Sequence, residues 1–374
     1  MKIAINTRFL LSSKMEGFGW YTFEIVKRLI EKHPEDEFVL FFDRPYDPKF
    51  IFGDNVTPVV LNPPARHPIL FVYWFEFAVY KALKKYKADV FLSPDGYLSL
   101  RSKVPQIAVI HDINFEHYPK DIPFIARIYL RFFFPLFAKK ATQIITVSNY
   151  SKQDICSSYS INEDKVTVAW NGASEEFRPL TEDLKKFIRE KYTKGKPYFL
   201  FVGALHPRKN VGRLLDAYSR YRITVDPTHE LVIVGEALWK NSGFNIELSN
   251  EVKNTVHFTG HLPLGELANL MGAASVFVYV PYFEGFGIPL VEAMKCGTPI
   301  LSGKLTSLPE VVNEAAIYCD PFNVQDIFEK MDDISSNETL KNDLSIKGLE
   351  RSKLFSWDES AEIVWTEILK IKSS

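Results

Sequence analysis

The feature of this chain that most restricts its fold is an alternation that runs twice. Short β-rich runs, "KIAIN", "EFVLFF", "DVFLSP", "QIAVIHD" and "QIITVS", are separated by amphipathic stretches such as "WYTFEIVKRLIEKH" and "WFEFAVYKALKKYK". Near-continuous apolar runs suit strands buried on both faces, and helical stretches between them supply the crossovers that parallel strands need. Residues 170–197, "WNGASEEFRPLTEDLKKFIREKYTKGKP", are charged and punctuated by Gly and Pro, which suits a connection between domains. The rhythm then restarts with "YFLFVGA", "ELVIVG", "VHFTG", "VFVYV", "PIL" and "AIYCD". Helical patterns lie between them, from about Asn210, over "LGELANLMGAA", from Pro289 and over "SLPEVVNEA". The expectation is an α/β chain of two domains, each a parallel sheet with helices on both faces. The final "FSWDESAEIVWTEILKIK" reads as one more amphipathic helix, and its pattern assigns it to neither domain.

A chain of 374 residues has room for two hydrophobic cores. Its 45 Lys and Arg balance 46 Asp and Glu, so no global field recruits nucleic acid or an anionic membrane, and any basic site must be local. Cys156, Cys296 and Cys319 are odd in number, widely spaced and outside any metal-type pattern. They read as packing residues of a reduced, cytoplasmic chain. The opening "MKIAINTRFL" alternates like a strand and not like a signal peptide, and no uninterrupted apolar run reaches the roughly 18 residues of a membrane span.

Ligands of open α/β sheets bind at the carboxyl ends of the strands, so the chemistry belongs in loops that follow strands and border a cleft between two domains. Four such loops stand out. In "PYFEGFGIPLVEAMKCGTP", residues 281–299, a buried strand leads through a glycine-bearing loop into a helix with Pro289 at its first position and Gly297 as its stop. The helix start is a ready anion site, with Ile288, Leu290 and Val291 as amide donors and Gly285 and Gly287 opening the backbone to a ligand. Glu284 precedes the turn, and Glu292 reads as a first-turn residue. Glu292 suits the vicinal hydroxyls of a ribose and Glu284 a sugar hydroxyl, although a first-turn carboxylate also complements the helix dipole. In "FVGALHPRKNVGRLL", Gly203 opens the loop, and Arg208 and Lys209 can neutralise a diphosphate.

In "NTRFLLSSKMEGFGWYT", Gly17 and Gly19 precede a helix, and Asp43 closes the next strand. This is a poor dinucleotide fingerprint, since Thr22 replaces the third glycine and a long loop replaces the tight turn. The loop reads as a flexible lip whose bare backbone approaches a phosphate. In "IAVIHDINFEHYP", His111 and Asp112 leave a buried strand, either to bind a sugar or as a hydrogen-bonded capping pair, and His117 reads as structural.

These residues resemble the retaining glycosyltransferases of family 4, the glycosyl transferases group 1. "EGFGIPLVEAMKCGTPI" is similar to that family's acidic signature of two glutamates separated by seven residues, and "HPRKN", "TVSNYSKQDI", "WNGASEEFRP" and "TSLPEVVNEAAIYCDP" follow in the family's order. The resemblance implies the GT-B fold, two facing Rossmann-like domains with parallel sheets and an interdomain cleft. It implies an acceptor-binding domain over 1–172, a donor-binding domain over 173–355, and a C-terminal helix, 356–374, that crosses back to the first. It further implies a nucleotide-diphospho-sugar, GDP- or UDP-linked, as co-substrate, with no other cofactor. Lys209 and Arg208 would hold the diphosphate, Glu292 the ribose and Glu284 the transferred sugar. His111 would lie beside that sugar, with Gly17 and Gly19 near the phosphates, and Gly203, Gly285, Phe286, Gly287, Ile288 and Leu290 would complete the donor site. Two positions depart from the family: Ala204 stands where many members carry arginine, and Tyr282 where a serine is frequent.

No DxD-like pair follows a buried strand, so the leaving diphosphate is expected to be neutralised by Lys209, Arg208 and the helix start with no metal. No carboxylate stands out as a nucleophile. The family's proposed answer is front-face transfer of a hexose to a hydroxyl of a glycan or lipid-linked acceptor. A nucleotide-sugar 2-epimerase of the same fold and a non-catalytic two-lobed sugar-binding protein remain as alternatives, whereas a Rossmann dehydrogenase is disfavoured by the broken fingerprint. Finally, "PFIARIYLRFFFPLFAKKA" and "HPILFVYWFEFAVYKALKKYK" interleave aromatics with cations as interfacial helices do, so a peripheral membrane contact is a further partner to test. Pro135 is expected to interrupt the first of them.

Overall fold

The computed structural model describes residues 1–12, 15, 17–236 and 249–373. The chain divides into two compact units, Met1–Asn171 with Ser356–Ser374, and Gly172–Phe355. In the first unit, β1 (Lys2–Asn6), β2 (Glu37–Phe42), β3 (Val56–Val60), β4 (Val90–Ser93), β5 (Gln106–Val109), β6 (Gln143–Thr146) and β7 (Val166–Val168) form a parallel sheet in the order β3-β2-β1-β4-β5-β6-β7. In the second, β8 (Tyr198–Val202), β9 (Glu230–Val234), β10 (Val256–Gly260), β11 (Val276–Tyr279), β12 (Ile300–Gly303) and β13 (Ala316–Cys319) form another, in the order β10-β9-β8-β11-β12-β13. Both are Rossmann-like α/β sheets. Each has one point where the strand order reverses, between β1 and β4 and between β8 and β11, and there the loops at the carboxyl ends diverge and leave a crevice.

The central strands are mostly apolar because helices cover both faces; every residue of β4, β5, β8, β9, β11 and β12 is buried, polar Ser93, Gln106, Glu230 and Ser302 included. The outer strands β3 and β7 are only partly buried, and β3 carries Pro58, which an edge tolerates. Neither stood out in the sequence, nor did the helices Val324–Ser336 and Glu338–Ser352.

Residues 170–197 are more than a connection. Thr181 caps a helix, Glu182–Thr193, by accepting from the Leu184 amide, and the helix lies against Leu264–Ala273, with Arg189 Nε donating to the Ala273 carbonyl at 3.0 Å. Its charges mask the apolar face that buries Ile188. The helix Trp357–Ser373 packs on Gly17–Lys32 in the first unit, stacking Trp365 on His33 and pairing Asp358 with Lys32 at 2.9 Å. Gly17 and Gly19 lie inside the first turn of the Gly17–Lys32 helix and do not precede it. A Cβ on Gly19 would stand 2.8 Å from the Phe9 carbonyl, so the close approach of that strand-loop demands glycine. The loop read as a flexible lip includes residues 13, 14 and 16, which lie outside the described residues. The three cysteines are buried and unbridged, and no described helix is long and apolar enough to cross a membrane.

Candidate active site

The loops after β8 and β11 carry the two sequence signals that were separate in the chain, and because β8 and β11 are paired neighbours these loops meet. After β8 the chain makes a tight turn at Pro207–Lys209. His206 caps it by accepting from the Arg208 amide, and Asn210 closes it in the left-handed region at φ 61°. Asn210 then ties the turn to the neighbouring strand ends, its buried Nδ2 donating to the carbonyls of Val280 at 2.9 Å and Pro321 at 2.6 Å. The Tyr282 amide donates to the Arg208 carbonyl at 3.0 Å. On the other side, Ser307 Oγ donates to the Glu284 and Phe286 carbonyls, and Thr306 Oγ1 accepts from the Glu284 amide. A loop pinned at so many backbone points holds its side chains in fixed positions.

Those side chains form a triad. Glu284 Oε1 receives Arg208 at 2.7 Å and Lys209 at 2.5 Å, Arg208 also donates to the Phe283 carbonyl at 3.0 Å, and Lys209 Nζ meets the Tyr279 hydroxyl at 2.6 Å. Burial pushes the Glu284 carboxyl up, but the two cations outweigh it and hold the group below the usual glutamate range. Burial likewise drives the Tyr279 phenol well up, so it stays a neutral hydroxyl. The triad sets two neighbouring cations at the end of a buried strand pair, where their attraction for an anion is screened less than at an open surface. Asn210, Tyr279, Thr306 and Ser307 lie in segments that the sequence marks, "HPRKN", "VFVYV" and "TSLPEVV", but none of the four was singled out as a site residue.

The helix that follows, Ile288–Cys296, differs in three details from the expectation. Gly287 is its N-cap at φ 98°, and Pro289 is its second residue, not its first. The Leu290 amide is already spent on the Gly287 carbonyl at 2.9 Å, so the ligand-facing donors belong to the start of the turn, at Gly287 and Ile288. Phe286 and Leu290 point into the core, and only their backbone borders the site. Glu292 is the fifth helical residue, so it lies in the second turn, beyond the reach of a first-turn dipole effect. It is partly buried and has no hydrogen-bond or ion-pair partner among the described residues; desolvation pushes its carboxyl up to about 8. Gly203 lies at the exit of β8 with its amide on the Val234 carbonyl, and Gly285 is buried in the loop.

His111 belongs to the first unit. Its Nε2 lies 2.8 Å from the Pro94 carbonyl, which makes Nε2 the protonated nitrogen and leaves Nδ1 as an acceptor. Phe18 and Tyr21 pack edge-on to the ring, and burial lowers its pKa, so the imidazole is neutral. Asp112 does not pair with it but accepts from the Asn114 amide, while His117 is ion-paired to Asp154 at 2.8 Å. Asp43 is spent on Arg44 and on the Ala65 amide, which removes the ribose partner that a dinucleotide fingerprint would need.

At the β1/β4 reversal the first unit holds a pair that the sequence did not single out. Arg8 Nε donates to Asp95 Oδ2 at 2.6 Å, Asn6 and Ser93 donate to Oδ1, and the guanidinium lies within 4.3–5.4 Å of the Phe9, Phe71, Phe75 and Tyr97 ring centres. Among the described residues one cluster has metal-ligand spacing, His33, Glu35 and Asp36, and it belongs to the helix-to-β2 turn of the first unit, not to the triad.

Residues 15–177 match the model of Glycosyltransferase Family 4, and residues 184–351 that of Glycosyl transferases group 1. The chain is 27% identical over 375 residues to the O-antigen chain mannosyltransferase B of Escherichia coli, covering 96% of this chain and 97% of that one. Among solved structures, a sucrose-phosphate synthase of Thermosynechococcus elongatus superposes with a TM-score of 0.80 at 17% identity, over 100% of this chain and 99% of the other. Anabaena HepE, solved with UDP and glucose, superposes with a TM-score of 0.77 at 18% identity, over 98% and 99%. Two reversed-order parallel sheets, the 284–292 acidic segment and both family matches lead to one assignment: the chain belongs to the GT-B glycosyltransferases, with a family 4 first half and a group 1 second half.

Proposed function

We propose that the protein transfers a hexose, mannose in the first instance, from a nucleoside-diphosphate sugar to a hydroxyl of a glycan or lipid-linked saccharide, retaining anomeric configuration and using no metal ion. One observation carries this reading: Arg208 and Lys209, both partly open to solvent, converge on the carboxylate of Glu284 at the β8/β11 reversal, beside a helix start. In this reading the diphosphate takes the cations, with the Gly287 and Ile288 amides on its oxygens, and Glu284 is released to accept from a hydroxyl of the transferred sugar. Glu292 accepts from the ribose hydroxyls. As the bond from the anomeric carbon to the diphosphate breaks, the electron pair leaves with the phosphate oxygen, and fixed donors stabilise the charge that develops there. The acceptor oxygen bonds to the anomeric carbon on the same face and its proton passes to the departing phosphate. Within the first unit, neutral His111 keeps Nδ1 as an acceptor suited to a sugar hydroxyl. The mannosyltransferase relative supports the sugar, and the neighbour solved with UDP supports a nucleotide donor.

The test is a thermal-shift screen against UDP-, GDP- and ADP-sugars, since a ligand that binds only the native state raises the melting temperature. It is followed by proton NMR of the product formed with the best donor, with and without EDTA. Retained configuration with EDTA present is expected. An inverted product, or activity lost with the chelator and restored by a divalent cation, overturns the mechanism.

A further inference from the structure

Two touching helical segments of the first unit turn apolar faces outward. The helix Phe124–Lys140 runs on through Pro135, contrary to the interruption expected there, and buries Tyr129, Phe134, Phe137 and Ala138 on one side. On the other, Ile125, Ile128, Phe132 and Leu136 follow one another at spacings of three and four residues, a single face, with Phe132 63% exposed and Phe124 at the helix start 64% exposed. The segment Pro68–Tyr73 packs against this helix, through the Phe71 and Tyr129 rings at 5.6 Å among other contacts, and continues without a break to Tyr86. It exposes Ile69 (71%), Tyr73 and Phe77, again one face, with Tyr73 and Phe77 stacked. Contiguous exposed apolar surface of this kind marks a contact site.

The charge on the two segments is mostly positive, although Arg131 is paired with Glu116 of the preceding turn at 2.9 Å. Residues 122–153 contain Arg127, Arg131, Lys139, Lys140 and Lys152 and no Asp or Glu, in a chain whose net charge is −1. In residues 64–88 the one carboxylate, Glu76, is buried and accepts from the Leu100 and Arg101 amides. Lys81, Lys84, Lys85, Arg101, Lys139 and Lys140 have no acidic partner among the described residues. Arg101 lies against the exposed Phe77 ring at 4.9 Å and Lys84 against Tyr80 at 4.4 Å, so cations and apolar surface are interleaved at one level.

We propose that this face docks on a bilayer surface containing anionic lipid, with Phe124, Ile128, Phe132, Ile69 and Tyr73 entering the headgroup region and the surrounding lysines and arginines meeting lipid phosphates. A second copy of the chain is the poorer occupant, because a two-fold pairing of this face would set the same cations against each other. The inference does not depend on the proposed reaction; it concerns where the protein resides, not what it transfers.

Vesicle flotation tests it with the full chain. Vesicles of phosphatidylcholine with about a third phosphatidylglycerol should carry the protein upward and pure phosphatidylcholine should carry much less, with release as salt screens the attraction. The triple variant Ile125→Ser/Ile128→Ser/Phe132→Ser should stay in the soluble fraction, and each of Lys81→Gln, Lys84→Gln and Lys139→Gln should lower partitioning about fivefold. All are exposed positions, and unchanged melting temperatures keep the comparison valid; the lysine series stands alone if the triple variant unfolds. Wild type left in the soluble fraction on anionic vesicles overturns the proposal. So does equal flotation on neutral vesicles, or a wild-type dimer in sedimentation velocity that the serine variant converts to monomer.

Discussion

The two sheets reverse strand order in the same way, and each places an arginine and a carboxylate at the reversal. At β1/β4 the count is one to one: Arg8 and Asp95 are both almost fully enclosed, the carboxylate is saturated by Asn6, Ser93 and the Tyr97 amide, and aromatic rings occupy the faces of the guanidinium. At β8/β11 two cations, Arg208 and Lys209, are partly open and share one oxygen of Glu284. A balanced, sealed pair has nothing left to offer a ligand and serves to fix loop geometry. Partly open cations at the same topological point can still reach an anion. The accessibility of the charge, and not its presence, separates the structural crevice from the candidate active one.

The largest effect expected from this contrast is on Lys209→Ala. Removing it takes away one of the two accessible cations, and loss of one fixed donor to developing charge costs about a thousandfold in turnover, roughly 4 kcal/mol. Because Arg208 still compensates Glu284, the melting temperature should stay within a few degrees of wild type. Consumption of the best donor sugar, measured beside a melting curve, decides it; full turnover by a folded variant removes Lys209 from the reaction.

The opposite signature is expected at the first crevice. Asp95→Ala strands Arg8 among aromatic rings, and breaking a buried pair from one side costs about 3 kcal/mol. At about 2–4 °C per kcal/mol for a domain of this size, the melting temperature should fall by about 10 °C. Replacing both partners, Arg8→Met with Asp95→Leu, should recover most of that loss, because no uncompensated charge remains. If the single and double variants melt alike, the pair is not what holds these loops. The Asp95 turn also presents the Pro94 carbonyl to His111, so the double variant reports whether that hydrogen bond survives without the ion pair.

How far the chain could be read follows the same division between local and topological information. Strands buried on both faces, such as Tyr198–Val202 and Val276–Tyr279, announce themselves as apolar runs, whereas the edge strands β3 and β7 are half exposed and lose the pattern. The Glu182–Thr193 helix is hidden because its charged face is longer than its buried one. Arg208, Lys209 and Glu284 were legible because each stands in a loop directly after such a strand. Their mutual contact was not, since it spans 76 positions and depends on β8 lying beside β11. Arg8 and Asp95, 87 positions apart, were invisible for the same reason. The Leu290 amide was misjudged because the turn at Gly287 closes back on itself, a matter of one dihedral angle that composition does not report.

Glu292 gives the smallest and most discriminating test, because its two readings predict opposite responses to pH. Burial pushes its carboxyl up to about 8, well above the ordinary glutamate value near 4.3. Between those values the folded protein keeps a proton that the unfolded chain has lost, so this group's contribution falls as pH rises from about 5 to 8. The residue is partly open to solvent, which limits the loss to about 1–2 kcal/mol. Glu292→Gln lacks the titration and should therefore be more stable than wild type at pH 8, with the difference shrinking toward pH 5. Donor binding should run the other way. A ribose diol donates to the ionised carboxylate, so wild-type affinity should strengthen as pH approaches 8, while Glu292→Gln binds with little pH dependence and about tenfold more weakly there, roughly 1.4 kcal/mol. Calorimetric titrations of the best donor at pH 6 and pH 8, paired with melting curves, separate the cases. A residue that costs stability when ionised but strengthens a ligand when ionised is placed for the ligand; parallel melting profiles with equal affinities would leave Glu292 only its place in the helix.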